Sequence, residues 1–104
     1  TNGLGNLINH KNIVPSLAGV LDEINVSLNA GDEETWRKIV RPVQGYENGY
    51  EDVCEFIRLC VEGGISRVVA SCVDTTVPDP KAVEKVACAL GAVFYLRSFL
   101  DANN

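Results

Sequence analysis

The sequence predicts an α/β fold: an incomplete (βα) barrel with parallel strands and with helices on the outside. Strand and helix patterns alternate along the chain, and strands separated by helices need crossover connections, which set the strands parallel. The 104 residues hold three recognisable strands, too few to close a barrel. One strand has a polar flank, which is costly in a sheet covered by helices on both faces. We therefore expect a single α/β domain over residues 1–104, with one side of its sheet lining a wet or occupied hollow.

The first strand has two unlike faces. It follows a short helix whose first turn suits Pro15. Residues 23–29 then alternate strictly between apolar and polar side chains, and this period of two predicts a strand. The apolar side chains are Ile24, Val26 and Leu28, and the polar ones are Asn25, Ser27 and Asn29. The polar face requires water, a ligand or hydrogen-bond partners.

Two helices come next. Asp32 suits the N-cap of a helix over residues 32–41, which Pro42 stops. Residues 50–62 carry apolar side chains at i, i+3, i+4, i+7 and i+8, the spacing of an amphipathic helix, and Gly63 and Gly64 end it. These apolar positions are Val53, Phe56, Ile57, Cys60 and Val61.

The last third of the chain predicts strand, helix and strand. Residues 67–73 form a run rich in β-branched side chains, which is typical of a strand. Residues 80–90 form a helix that Gly91 closes, and residues 92–96 form the final strand. One face of this helix is apolar, with Val83, Val86, Ala87 and Leu90.

Charge excludes two classes of partner. The chain has 14 acidic and 9 basic side chains and a net charge of -5, and its basic residues form no cluster. Its mean field repels phosphate backbones and anionic lipid heads, so we expect no nucleic-acid partner and no membrane partner. The apolar stretches are too short for a membrane span and no export signal is visible. We expect a cytoplasmic location.

The four cysteines predict no metal site. Cys54, Cys60, Cys72 and Cys88 form neither a CxxC nor a CxxxCxxC group, the patterns that hold zinc or an iron-sulfur cluster. Cys60, Cys72 and Cys88 fall in helix and strand patterns, where a thiol usually packs as a small hydrophobe. We expect reduced, structural cysteines.

Polar side chains follow the predicted strands at the point where each ends. Ligands of parallel α/β sheets bind at the carboxyl ends of the strands, so these side chains are candidates for a site on one rim. They are Asn29, Asp74 with Thr75, and Arg97 with Ser98, together with Thr1 and Asn2 if a strand ends at the start of the chain. Asn and Asp in such places also form turns and cap helices, so a purely structural role remains open for each.

Several segments together resemble one enzyme family. They are TNGLGNLI at 1–8, EINVSLNAGDEETWRKIVRP at 23–42, YEDVCEFIRLC at 50–60, VVASCVDT at 68–75 and FYLRSF at 94–99. In this combination the chain resembles the radical S-adenosylmethionine enzymes, in particular the subgroup linked to TatD-type nucleases. The resemblance implies that the chain is the C-terminal portion of a partial (βα)6 barrel, whose first strands would precede Thr1.

The resemblance also implies a cofactor rim. In such enzymes a CxxxCxxC loop binds a 4Fe-4S iron-sulfur cluster, which holds and cleaves S-adenosylmethionine. The residues that match the family's rim are Asn2, Ser27 and Asn29 for ribose or methionine, Arg41 for a carboxylate, and Asp74 near the adenine. The chain has no CxxxCxxC, so the resemblance implies S-adenosylmethionine contacts but no cluster and no radical activity. Arg41 could equally act as a cation at the end of its helix.

Two other functions remain open. A half-barrel with exposed edges could be a non-catalytic interaction or small-molecule-binding module, whose edges are covered by a missing N-terminal half or by a second copy in a homo-oligomer. A small hydrolase or lyase could instead use Asp74 with His10, the only histidine.

Overall fold

The computed structural model describes residue 3 and residues 13–41, 49–74 and 79–98. Helices and strands alternate in the predicted order. The elements are α1 (Val14–Ala18), β1 (Glu23–Ser27), α2 (Glu33–Val40), α3 (Gly49–Glu62), β2 (Arg67–Val73), α4 (Pro80–Ala89) and β3 (Val93–Arg97). Most predicted bounds differ from these by one or two residues.

The strands form one parallel sheet in the order β1-β2-β3. Both neighbouring pairs are parallel, which confirms the prediction from the crossover connections. The register sets Ser27 opposite Ser71, and Ser71 opposite Tyr95. Because the strands are parallel and in register, their carboxyl ends reach the same edge of the sheet.

Helix α2 begins and ends as its sequence indicates. The backbone N–H of Thr35 donates to the Asp32 side chain over 2.8 Å, and the Thr35 hydroxyl donates to the same carboxylate over 2.9 Å. These hydrogen bonds from Thr35 hold the pKa of Asp32 below its ordinary value. The helix ends at Arg41, whose backbone is left-handed with a φ of 52°, the conformation that commonly terminates helices.

The core joins one face of the sheet to the helices. Successive strand residues point to opposite faces, and the alternate residues Ile24, Val26 and Leu28 are buried in the same cluster as Val68, Ala70 and Cys72 of β2. The helices contribute Trp36, the predicted stripe of α3 except Val61, and Val83 with Ala87 of α4 to this cluster, and Val61 packs against it. We call the side of the sheet that carries these strand residues the core face.

The cysteines are free, and three of the four are at least partly buried. Cys60 and Cys72 lie in the core cluster, as expected, and Cys54 packs against it. The prediction was wrong for Cys88, which is exposed. Its helix buries Val83 and Ala87, and Cys88 follows Ala87 directly, so it is turned about 100° away from that face.

Among the described residues, no helix combines the length and the apolar character that crossing a membrane requires.

Candidate functional site

The other face of the sheet is chemically different from the core face. Its residues alternate with those of the core cluster, and the register brings them into rows across the three strands. We call it the second face, and its residues are Glu23, Asn25, Ser27, Arg67, Val69, Ser71, Val73, Val93, Tyr95 and Arg97. Hydroxyl, amide and guanidinium groups are therefore grouped on one side of a sheet whose opposite side is apolar.

Ser71 is the most buried polar side chain of the second face. It has no exposed surface, and its hydroxyl donates to Oδ1 of Asn25 over 2.9 Å. Buried hydroxyls are normally hydrogen-bonded, and this bond ties the middle strand to β1. Sequence reasoning placed Ser71 in a strand without assigning its face. Its position, one residue after Ala70 in an apolar run, was the signal that could have singled it out.

The end of β1 is fixed by backbone hydrogen bonds. The N–H groups of Leu28 and Asn29 both donate to the carbonyl of Ser71, over 2.8 and 3.1 Å. Asn29 then adopts a left-handed backbone with a φ of 70°, so the strand stops at Ser27 rather than at Asn29. The Tyr50 hydroxyl donates to the carbonyl of Ala30 over 3.0 Å, which holds the turn against the start of α3.

Three of the predicted site residues lie at the carboxyl edge of the sheet. Ser27 is the last residue of β1, Asn29 follows it, and Asp74 follows β2 directly. The N–H of Asp74 donates to the carbonyl of Arg97 over 2.9 Å, so the ends of β2 and β3 are adjacent. Asp74 is exposed, whereas Ser27 and Asn29 are half-buried.

The other two predicted residues are not joined to this edge. Arg41 is exposed at the end of α2, and no side-chain hydrogen bond or ion pair links it to Ser27, Asn29 or Asp74 within the described ranges. Its place at a helix C-terminus fits the alternative role as a cation there. Asn2 and His10 lie outside the described residues.

A small cavity opens on the second face toward the amino ends of the strands. It measures about 220 Å³, and Asn25, Val69, Val93 and Tyr95 are among its lining residues. Glu23 and Arg67 also line it and form an ion pair of 3.3 Å. Both partners are more than half exposed, so the pair contributes little to stability.

Three of the four thiols are poorly placed to bind an iron-sulfur cluster. Cluster ligands must be thiolates, but burial raises the pKa of the Cys60 thiol to about 11 and also raises the pKa of Cys72 and of Cys54. Cys60 and Cys72 also lie in the core cluster. No group of three or more His, Cys, Asp or Glu side chains with metal-binding geometry occurs in the part of the chain that the structure describes.

The carboxyl edge carries side chains that can bind a polar organic ligand. Ser and Asn side chains can donate to and accept from sugar hydroxyls, and a guanidinium can bond two oxygens of a carboxylate or phosphate. Comparison with known proteins adds no candidate: no family model matches the chain, and neither a curated protein nor a solved structure matches it.

Proposed function

We propose that this chain is the C-terminal part of a radical S-adenosylmethionine barrel and that the carboxyl edge of its sheet contributes to binding the adenosyl cofactor. The sequence resemblance motivates the proposal, and the observation that carries it is the polar second face. A buried Ser71 hydrogen-bonded to Asn25, beside Ser27, is what the inner wall of a ligand-holding barrel needs.

The topology supports a barrel wall. Crossovers between parallel strands are right-handed in nearly all proteins. When the strands follow one another in the order β1-β2-β3, right-handed crossovers put their helices on the same side. The core face, with its contacts to residues of α3 and α4, would then be the outside of the barrel wall, and the second face would be the inside.

The proposed contacts use the polar groups at the edge. The Ser27 hydroxyl and the Asn29 amide would bond the ribose hydroxyls or the methionyl group, and Asp74 would lie near the adenine. Asn2 and Arg41 complete the set on the resemblance alone. When bound with a reduced cluster, S-adenosylmethionine supplies an adenosyl radical. The chain has no CxxxCxxC, and the burial of Cys54, Cys60 and Cys72 makes them poor cluster ligands, so we assign it no radical step.

Nuclear magnetic resonance of the ¹⁵N-labelled chain titrated with S-adenosylmethionine tests the proposal. Part of a site binds weakly, so we expect a Kd of about 1 mM, with shifts at the amides of Ser27, Asn29 and Asp74. Ser27→Ala should weaken binding, and so should Asn29→Gly, which keeps the left-handed backbone while removing the amide.

Ser66→Ala is the matched control, because Ser66 is an exposed serine at the opposite edge of the sheet, just before β2. It should leave binding unchanged. The proposal fails if millimolar S-adenosylmethionine shifts no resonance at the carboxyl edge, or if Ser66→Ala weakens binding as much as Ser27→Ala.

One observation favours self-association as a second candidate function. Strand β3 is an edge strand among the described residues, and Val93, Tyr95 and Leu96 are 40 to 49% exposed there. An apolar edge strand is a template for pairing with another chain. We propose that β3 pairs with a second copy or with the rest of a barrel.

Sedimentation velocity at micromolar concentrations tests self-pairing. Wild type should show a concentration-dependent dimer that Val93→Lys abolishes. Val20→Lys should not, because Val20 is an exposed valine outside the sheet. A compact monomer at every concentration would contradict pairing with a second copy.

A further inference from the structure

We propose that Arg97 binds an oxyanion, the carboxylate or phosphate group of a small ligand, at the carboxyl edge of β3. Nothing in this inference depends on the adenosyl cofactor. It rests on the state of the Arg97 guanidinium, on its place in the sheet and on the contrast with the other described arginines.

Arg97 is half-buried, and its Nε–H is shielded from solvent without a hydrogen-bond acceptor among the described residues. A guanidinium is always charged and carries five N–H donors. Taking such a donor away from water without giving it an acceptor is unfavourable. An oxyanion that bonds Nε–H and a terminal N–H together would remove this cost, because the two donors match its two oxygens.

The other described arginines are accounted for. Arg37 pairs with Glu33, Arg58 with Glu55 and Glu62, and Arg67 with Glu23. Arg41 is exposed, so water solvates it. Arg97 alone among the described arginines is half-buried with no carboxylate of the described residues within ion-pair distance. Asp74, directly after the neighbouring strand, bonds the Arg97 carbonyl through its N–H and not the guanidinium.

The position of Arg97 fits a ligand. It is the last residue of β3 and is opposite Val73, at the edge where parallel sheets bind their ligands. Tyr95, two residues earlier, lies on the same face and is half exposed. Its hydroxyl is a second donor on that face.

The net charge limits the kind of ligand. A charge of -5 repels long polyanions at a distance, whereas a single carboxylate or phosphate experiences mainly the adjacent guanidinium. The inference is therefore a small metabolite with one anionic group rather than a nucleic acid.

The experiment follows the ¹⁵Nε resonance of Arg97 in the full chain while sodium acetate and inorganic phosphate are added in separate titrations at constant ionic strength. We expect a saturable downfield shift of the Arg97 Nε–H resonance with at least one anion. The anion that binds more tightly identifies the class of oxyanion. The inference is overturned if neither anion shifts this resonance, and this readout on the wild type does not depend on any variant folding.

Variants separate a site from general charge effects. Arg97→Gln should weaken the binding of the anion by at least about tenfold. The affinity of Arg97→Lys should lie between those of the wild type and Arg97→Gln, because a lysine cannot bond both oxygens in a fork. Arg67→Gln removes the same charge from the opposite end of the neighbouring strand and should change affinity by less than about twofold. Equal weakening by Arg97→Gln and Arg67→Gln would show nonspecific attraction and overturn the assignment.

Discussion

The two faces of the sheet are built from the same three strands but differ in chemistry. On the core face, Val26 and Ala70 have no exposed surface and belong to one cluster with the helices. On the second face, the positions beside them carry Asn25 and Ser71 joined by a hydrogen bond. Burial of apolar side chains stabilises a fold without requiring a particular orientation of their atoms. Grouped polar side chains instead need hydrogen-bond partners at defined positions. The core face can therefore carry stability, which leaves the second face free to carry recognition.

The strands also differ across the sheet. The middle strand β2 is buried along five consecutive residues, 68–72, whereas β3 has no buried residue. A central strand is covered by a neighbour on each side, and β3 has a described neighbour only at β2. Substitutions should therefore cost most on the core face near β2 and least on β3.

The largest effect should come from Phe56→Ala. Phe56 is 2% exposed in the core cluster, and truncating a buried phenylalanine costs about 3 to 5 kcal/mol. Tyr95→Ala removes an aromatic ring of similar size from the second face, where 49% of the residue is exposed, and should cost less than about 1 kcal/mol. Urea denaturation of both variants measures the difference. Similar losses would break the contrast between the faces.

Gly3→Ala should have the next largest effect, because Gly3 lies against the core side of β1. A Cβ there would approach Val53 Cγ1 to 2.9 Å and Val26 Cγ1 to 3.0 Å, on a backbone with a φ of +79°. Overpacking and the left-handed backbone together should cost about 2 to 4 kcal/mol.

Gly64→Ala is the control for Gly3→Ala. Gly64 has a φ of +91° but nothing within 4 Å of the added Cβ, so its cost reports the backbone alone. The difference between the two free energies of unfolding gives the cost of the close contact. Equal costs would mean that residue 3 does not pack on the core side.

A smaller effect should come from the hydrogen bond on the second face. Ser71→Ala removes the donor to Asn25, and a double-mutant cycle with Asn25→Ala should give a coupling of about 0.5 to 1.5 kcal/mol. Ser66→Ala, an exposed serine, should change stability negligibly. A coupling of zero would mean that water replaces the bond without loss, and the second face would then be fully solvated.

An effect that is absent at neutral pH should appear only at alkaline pH. Burial raises the pKa of Cys60 from 9.0 to about 11, so the unfolded chain loses this proton first. The protonated Cys60 thiol makes its whole contribution to the free energy of unfolding below pH 9. This contribution falls as the pH rises from 9 toward 11. Cys60→Ala should flatten the fall of Tm over that range, whereas Cys88→Ala, which removes an exposed thiol, should not. A fall that Cys60→Ala leaves unchanged would contradict the raised pKa.

Much of the fold could be predicted from the sequence because its signals are local. The alternation of residues 23–29 predicted the two faces of β1, and the spacing of Val53, Phe56 and Cys60 predicted the buried stripe of α3. The N-cap at Asp32 could also be predicted, because its partner Thr35 is only three residues away. Cys88 was misjudged because an apolar residue beside a stripe is not part of the stripe.

The candidate site was predicted only in part because it is assembled from distant residues. Asn29 and Asp74 were expected at one edge from the rule for parallel strands, and Ser27 was added by the family resemblance; in the structure all three lie at that edge. Ser71 was missed because its partner Asn25 is 46 residues away. The shielded Nε–H of Arg97 could not be predicted either, because the sequence position of Arg97 indicates only the end of a strand.

The sequence by itself determined the order of helices and strands, their parallel arrangement and the apolar character of one face, because hydrophobic period, caps and crossover length are properties of neighbouring residues. Only the tertiary structure decided which polar groups meet. Register between strands sets Ser27 beside Ser71, and packing shields the Nε of Arg97. Both depend on contacts between residues far apart in the chain, so no local pattern encodes them.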